Sequence, residues 1–419
     1  MSERSAVGLR AGRRLPRAGP EETGAAEREN GLRPLLTVWA VWLVLMASAN
    51  LATPLYEVYA ERFHFSSLVL TAIFAAYAFA LVPTLLVFGS LSDRFGRRPV
   101  IAAGLVVGCA GLALFAAAQG TAWLFAARIC QGLAVGMISG AATAALVELD
   151  PERDGNRPAL LAGLAQAGGS GAGPLLAGVL TEWGPAPLHL SYLLVLGLTA
   201  AGAAVTFTIP EPAGGDREPW RIHRPRVPSE IRTDFARVSL TAATVWASVA
   251  LFLSIVPSYA GDLLETENLA LLGALGALAL AMSCVSQIAS QRLDLSGRNT
   301  QGAGLLVLAA GLAALVVAAP LKSLALLLVG AVAAGAGHGA GILNAQDELN
   351  SIVPEERRGE VTAAFISCIY LVVACSVIGS GLLDEWFSLA VSVAAVAVVL
   401  AGIAVTTALW QLRGPRTSG

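Results

Sequence analysis

Twelve apolar runs alternate with short polar breaks along the chain, near residues 35–57, 68–88, 100–118, 122–147, 158–181, 188–209, 236–259, 268–289, 302–319, 323–346, 361–383 and 388–410. A helix that crosses a bilayer needs about 20 predominantly apolar residues, so the pattern predicts twelve spanning helices and no strands. The second and third runs are joined by Gly89-Ser90-Leu91-Ser92-Asp93-Arg94-Phe95-Gly96-Arg97-Arg98-Pro99. A joint that short makes the two helices antiparallel neighbours. Its charges place it in water or headgroups. The longest interior polar stretch, 211–234, carries five arginines and five acids among Pro and Gly, and it divides the runs six and six.

Composition removes the soluble classes. Of 419 residues, 56% are hydrophobic and only 13% charged, too little charge to cover a folded chain in water. The net charge of −2 says little about partners. Position along the chain says more. Seven arginines lie in 1–33, three in the hinge, two after the fourth run, six in the central stretch through Arg237, and two in each of the last three segments on that side, 24 of the 27 basic residues. The positive-inside rule then puts both termini and the hinge in the cytoplasm. Residues 1–33 lack an apolar signal-peptide core and read as an uncleaved, disordered tail. The remaining divisions are a six-helix unit over 34–210, a cytoplasmic loop over 211–235, a second six-helix unit over 236–410 and a tail over 411–419. Cys109, Cys130, Cys284, Cys368 and Cys375 all fall in apolar runs without metal-ligand spacing and read as packing residues. No nucleotide-binding loop, metal cluster or nucleophile–base set is visible, so the sequence supports neither an enzyme nor an ATP-driven pump, and calls for no cofactor and no nucleic acid.

The two halves echo each other. Asp93, Gly96 and Arg97 recur as Asp294, Gly297 and Arg298; Pro54-Leu55-Tyr56 recurs as Pro257-Ser258-Tyr259; Pro151-Glu152-Arg153 recurs as Pro354-Glu355-Glu356-Arg357. Three echoes in one order argue for an internal duplication, with a substrate site between the halves near the midplane. The second hinge lacks counterparts of Arg94 and of the leading Gly89.

The first hinge, with its Gly, Asp-Arg pair and Gly-Arg-Arg, resembles the signature between helices two and three of the major facilitator superfamily of secondary transporters. Leu124-x-x-x-Arg128-x-x-Gln131-Gly132 resembles that family's fourth-helix signature. The resemblance spans about 35–410 and implies an all-α membrane protein, twelve helices in two pseudo-symmetric six-helix bundles, that moves a small molecule by alternating access. It associates Arg128 with proton coupling. In the fifth run, Gly169, Gly173, Pro174 and Gly178 form part of a sequence similar to the family's antiporter signature. Ala177 and Leu160 stand where that signature has glycine. The match therefore favours export without fixing it, and a plain close-packing interface is the competing reading.

Residue chemistry supplies the candidates. Arg128 lies deep enough in the fourth run to need a partner inside the protein, unless it snorkels to headgroups. Glu57, near the end of the first run after Pro54, is its candidate partner. A carboxylate beside an arginine in a partly dry site can exchange a proton as access changes, since burial and the cation pull its proton affinity in opposite directions. A solvated loop acid is the alternative for Glu57. Asp93 is suited to the positive N-terminal end of a neighbouring helix, which the family resemblance implies is the eleventh, and Arg97 to Glu148 or Asp150 at the end of the fourth. With Gly89, Arg94, Gly96 and Arg98, these residues make up a cytoplasmic latch or, alternatively, a solvated charge run that fixes topology. Asn50, Tyr77, Gln131, Gln166, Trp246, Gln287, His338, Asn344 and Tyr370 are candidates for a mostly apolar cavity, each with ordinary helix packing as its competitor. The resulting expectation is a monomeric transporter in the plasma (inner) membrane that exports a small, partly hydrophobic compound against protons. Import or facilitated diffusion of a sugar or other metabolite is the alternative, and a transporter-like receptor the reading from another class.

Overall fold

A computed structural model describes residues 20–152, 156–211, 226–354 and 357–413, with the side chains of 20–30, Gly89, Ser90, Asp93, Asn156, Arg358 and Gly359 left outside the description. Every regular element among the described residues is a helix. The first half contains α1 (Pro20–Asn50), a 3-10 turn (Thr53–Leu55), α2 (Tyr56–Phe63), α3 (Ser67–Phe95), α4 (Arg97–Ala116), α5 (Thr121–Glu148), α6 (Asn156–Trp183) and α7 (Leu190–Thr206). The second contains α8 (Arg232–Ser254), α9 (Val256–Leu264), α10 (Leu269–Arg292), α11 (Gly297–Leu321), α12 (Leu324–Ile352), α13 (Arg358–Asp384) and α14 (Leu389–Arg413). With α1 joined to α2 and α8 to α9, these are twelve spans in two six-helix bundles. Ten are long and apolar enough among the described residues to cross a membrane by the strictest reading; α6 and the shorter α7 complete the set.

Two sequence expectations need correction. The tail over 1–33 was expected to be irregular throughout, yet α1 begins at Pro20. Pro at a helix start and the two glutamates after it suit a helix N-terminus. The first span also does not end at residue 57: α1 stops at Asn50, Pro54 sits in the 3-10 turn, and α2 carries the chain on to Phe63. The second half repeats the break, with α8 ending at Ser254 and α9 starting beside Pro257.

Large side chains such as Phe79, Val106, Leu198, Val398 and Val399 point outward, as a surface facing lipid requires. The interior is built from close backbone approaches. Within the first half α1 lies against α5, α6 and α7, and α5 against α3 and α4; within the second α12 lies against α8, α10 and α11. The halves meet along two seams, α6 with α10 and α3 with α13. At Gly169 and Gly173 of α6 a side chain would strike the carbonyl oxygens of Leu43 and Ala47 on α1, and at Gly178 that of Leu269 on α10. Pro174 lies within the unbroken α6, and its carbonyl oxygen abuts Gly273. Small residues at crossings are the membrane solution to tight packing.

Gly335 of α12 tests this. A methyl there would run into the Ala279 carbonyl of α10, whereas one at Gly379 meets nothing within 4 Å. Gly335→Ala is expected to cost about 1–3 kcal/mol through overpacking and to lower the melting temperature in detergent, with Gly379→Ala unchanged. Equal melting of the two variants would contradict the packing account.

Candidate substrate cavity and its gates

Between the halves lies a cavity of about 1000 Å³, its mouth included, walled by α1, α3, α5, α6, α8, α12 and α13. Phe74, Tyr77, Leu81, Trp246, Phe365 and Tyr370 are among its apolar wall; Asn50, Ser139, Gln166, Ser170 and Gln346 supply the polar points, and no charged side chain among the described residues lines it. Tyr77 and Tyr370 face each other across the α3–α13 seam, ring centroids 6.3 Å apart. The Asn50 amide donates to Ser170 Oγ at 3.1 Å.

Five of the nine residues expected here are wall: Asn50, Tyr77, Gln166, Trp246 and Tyr370. The other four are not, because each is spent on packing behind the wall. Gln131 Nε2 donates to the Ser48 carbonyl at 2.7 Å. His338 Nδ1 lies 2.8 Å from Ser283 Oγ, to which Gln287 Nε2 donates at 3.1 Å. His338 meets the Trp246 ring edge-on at 4.7 Å. Asn344 Nδ2 donates to the Ala340 carbonyl at 2.9 Å. Helical phase could not be read from a run apolar on every side, so the sequence did not separate these two groups.

Arg128 is 2% exposed and does not snorkel. Its Nη1 donates to the Ala49 carbonyl at 2.6 Å and to Gln131 Oε1 at 3.0 Å, and its Nη2 to the Phe74 carbonyl at 3.4 Å. The guanidinium also lies 4.9 Å from the Phe74 ring centroid and 4.6 Å from that of Tyr77. The break after Asn50 explains the arrangement. It strips the last carbonyls of α1 of intrahelical partners, and Arg128 and Gln131 fill the vacancy at the negative end of that helix. Glu57 is not the partner. Glu57 instead meets Ser258 of α9 in the opposite half, with Asp262 and Glu61 near it.

The hinge is built around Arg97. Gly96 ends α3 and opens α4 at φ +96°, a conformation that strains any residue with a side chain. Arg97 Nη1 donates to Ser92 Oγ at 2.7 Å, and Nη2 to Glu148 Oε1 at 2.8 Å. Glu148, of the two candidates at the end of α5, thus receives Arg97, and Asp150 lies 3.7 Å from Arg157. Glu211 was missed. Its carboxylate accepts from the backbone N–H of Arg97 at 2.6 Å and of Arg98 at 3.4 Å, capping α4. Arg98 reaches the carbonyls of Phe207 and Ile209, both at 3.4 Å, and Arg94 is exposed beside the Phe95 ring. Gly89 and Asp93 lie on α3, but the surroundings of the Asp93 side chain are outside the described residues. α3 does run along α13, the helix whose start suits that acid.

The second hinge is emptier. No side chain would be met at Gly297, and Arg298 makes no ion pair among the described residues. Glu348, at the end of α12 where Glu148 ends α5, binds Arg237 of α8 instead. Arg237 is 1% exposed and also reaches Asp234 at 3.0 Å and Gln411, while Gln301 Nε2 donates to Glu348 at 2.7 Å. One cluster thereby ties α8, α11, α12 and α14. Reasoning from sequence counted Arg237 as a loop charge. The signal was its place inside an apolar run, the same signal that singled out Arg128.

On the face opposite the hinges the halves touch. Glu182 at the end of α6 accepts from the Leu269 N–H at 3.0 Å and from Asn268 Nδ2 at 3.4 Å, and the Leu68 N–H of α3 donates to Glu385 at 3.4 Å.

Comparison with known proteins adds three findings. The model of the Major Facilitator Superfamily matches residues 38–374. The tetracycline resistance protein, class C, of Escherichia coli is 34% identical over 157 residues, 36% of this chain and 37% of that relative; the match therefore spans little more than a third of the relative's length. Among solved structures, a bacterial homologue of the human lysosomal transporter Spinster, in an inward-facing and occupied conformation, superposes with a TM-score of 0.68 at 15% identity over 90% of this chain and 96% of that one. At that identity the likeness concerns the fold.

The Arg237 cluster makes a stability prediction. Losing one partner of a buried pair costs about 3–5 kcal/mol, while an apolar replacement of both is often neutral. Arg237→Met and Glu348→Leu are each expected to lower the melting temperature sharply, and the double variant to recover much of the loss. Additive losses in the double variant would show that the two side chains do not act as a pair.

Proposed function

The chain belongs to the major facilitator superfamily of transporters, and on that premise we propose that it is a proton-coupled exporter of a small, partly hydrophobic compound. The observation that carries this reading is the cavity itself. It is aromatic, without charge among the described residues and dotted with amides and hydroxyls, and the halves touch on the face away from the hinges. Such a wall suits an apolar body with a few polar groups. The relative named for tetracycline resistance supports export of this kind. The partial antiporter sequence on α6 points the same way.

In this reading the hinge face is cytoplasmic, as the placement of 24 of 27 basic residues favours, and the protein is a monomer of the plasma (inner) membrane with both termini inside. Residues 34–210 and 236–410 rock against each other about the cavity, and 211–235 connects them. Asp93, facing the start of α13, holds the cytoplasmic ends while the cavity faces outward, on a hinge braced within the first half by the Arg97–Glu148 pair. Arg128 couples the broken end of α1 to α3 and α5. Glu57 takes its proton at the outer gate opposite α9, not in a pair with Arg128. Since no carboxylate among the described residues lines the cavity, uncoupled movement of a metabolite is kept as the second reading.

Proteoliposomes with an imposed pH gradient decide between them. A transported compound from a panel is expected to dissipate the gradient, and Arg128→Ala to slow this about tenfold or more, in line with loss of an embedded functional charge. Asp93→Asn is expected to insert normally yet turn over slowly. Solute flux with no proton movement would establish the uncoupled reading instead.

A further inference from the structure

The site already described leaves one imbalance, and it bears on the substrate. Among the described residues no charged side chain lines the cavity, yet a buried guanidinium lies directly behind its wall. Phe74 and Tyr77, whose rings Arg128 touches at 4.9 and 4.6 Å, are themselves wall residues. All the acceptors of Arg128 are neutral, two carbonyls and an amide, and its Nε is buried with no partner. The end of α1 offers a partial charge of about −0.5 at most, so a positive remainder stays at this end of the cavity. Other charges do not cancel it. On α12, Glu348 is held by Arg237, and Asp347, beside the wall residue Gln346, is not wall; Glu57 faces α9.

We propose that the cavity takes aromatic compounds bearing a dissociated acid group, a carboxylate or similar anion, with Arg128 as the residue that sets this charge preference. The proposal deepens the transport reading above and rests on it. Arg128 is itself shut off from water behind the wall, so its field acts across the aromatic rings with less screening than in solution. A cation entering there loses its hydration and meets repulsion as well. An anion loses hydration too, but gains the field of Arg128 and the donors of wall residues, the Trp246 indole and the amides of Gln166 and Gln346; the Asn50 amide is already spent on Met46 and Ser170. The rings supply the stacking surface for a flat apolar body.

Three flat probes of one size test it: 2-naphthoate, 2-naphthamide and 2-naphthamidine, titrated at neutral pH onto the full-length protein in detergent, with binding read calorimetrically. The carboxylate is expected to bind about tenfold or more tighter than the amidine, with the neutral amide as the size control. In Arg128→Gln the carboxylate-to-amidine ratio is expected to collapse toward one, and in Arg128→Lys, which keeps the charge, to persist. The native ratio is informative even where a variant fails to fold. An amidine that binds as tightly as the carboxylate, or a carboxylate that does not bind, overturns the proposal. Binding in detergent requires no flux, so this result is separate from the gradient assay that tests export.

Discussion

An arginine inside a membrane-embedded helix bundle has no bulk water to solvate it, and the structure is arranged around that constraint. Insertion of such a residue near the middle of a helix costs about 2.5–3.5 kcal/mol on translocon scales, so each must be satisfied by the protein. Arg128 is satisfied by breaking a neighbouring helix: α1 stops at Asn50, and the Ala49 carbonyl it frees accepts from the guanidinium. Arg237 is satisfied by a carboxylate–amide cluster joining four helices. Arg97, half in water, is satisfied by Ser92 and Glu148 while its backbone N–H is capped by Glu211. The first solution leaves a positive remainder beside the cavity, the second leaves none, and the third lies at an edge where water can replace it. Those differences suit three roles: substrate site, rigid scaffold and gate.

The seams between the halves divide in a similar way. Along α6 and α10 backbone meets backbone at Gly178 and Gly273, and a seam that close leaves no room for a cavity. Along α3 and α13 side chains intervene, with Thr71 against Gly381 near one end and Tyr77 against Tyr370 further along, and the cavity opens there. The repeat is faithful in its helix breaks, where Pro54 and Pro257 both interrupt a long span, and unfaithful at its hinges. The first hinge is capped and paired. The second has a left-handed Asp294 and an open Gly297 but, among the described residues, no ion pair on Arg298, its acidic counterpart Glu348 having been taken by α8.

Most of the fold was legible because lipid leaves few alternatives: runs of about 20 apolar residues become helices, and basic residues mark one face. The hinge pair Arg97–Glu148 was legible because a charged, glycine-bounded joint between two spans must touch the nearest acid at a helix end. What stayed hidden depended on rotation about helix axes. His338 and Gln287 sit one layer behind Trp246 because of helical phase, and runs apolar on every side carry almost no phase signal. Glu57 was misplaced since one proline was read as a local distortion, whereas it ends α1 and redirects everything after it. Glu211 was hidden for another reason. Its task is to cap a helix more than a hundred positions away, and nothing local marks it.

The central claim is that two bundles rock about this cavity and that the face away from the hinges is its closed gate. With the five native cysteines replaced by serine or alanine, Glu57→Cys and Ser258→Cys would put one thiol on each side of that gate. Oxidation is expected to cross-link the pair, arrest flux in proteoliposomes, and be fully reversed by a reductant. A cross-linked protein that still transports at its original rate would mean that α2 and α9 never part, and the account would be wrong.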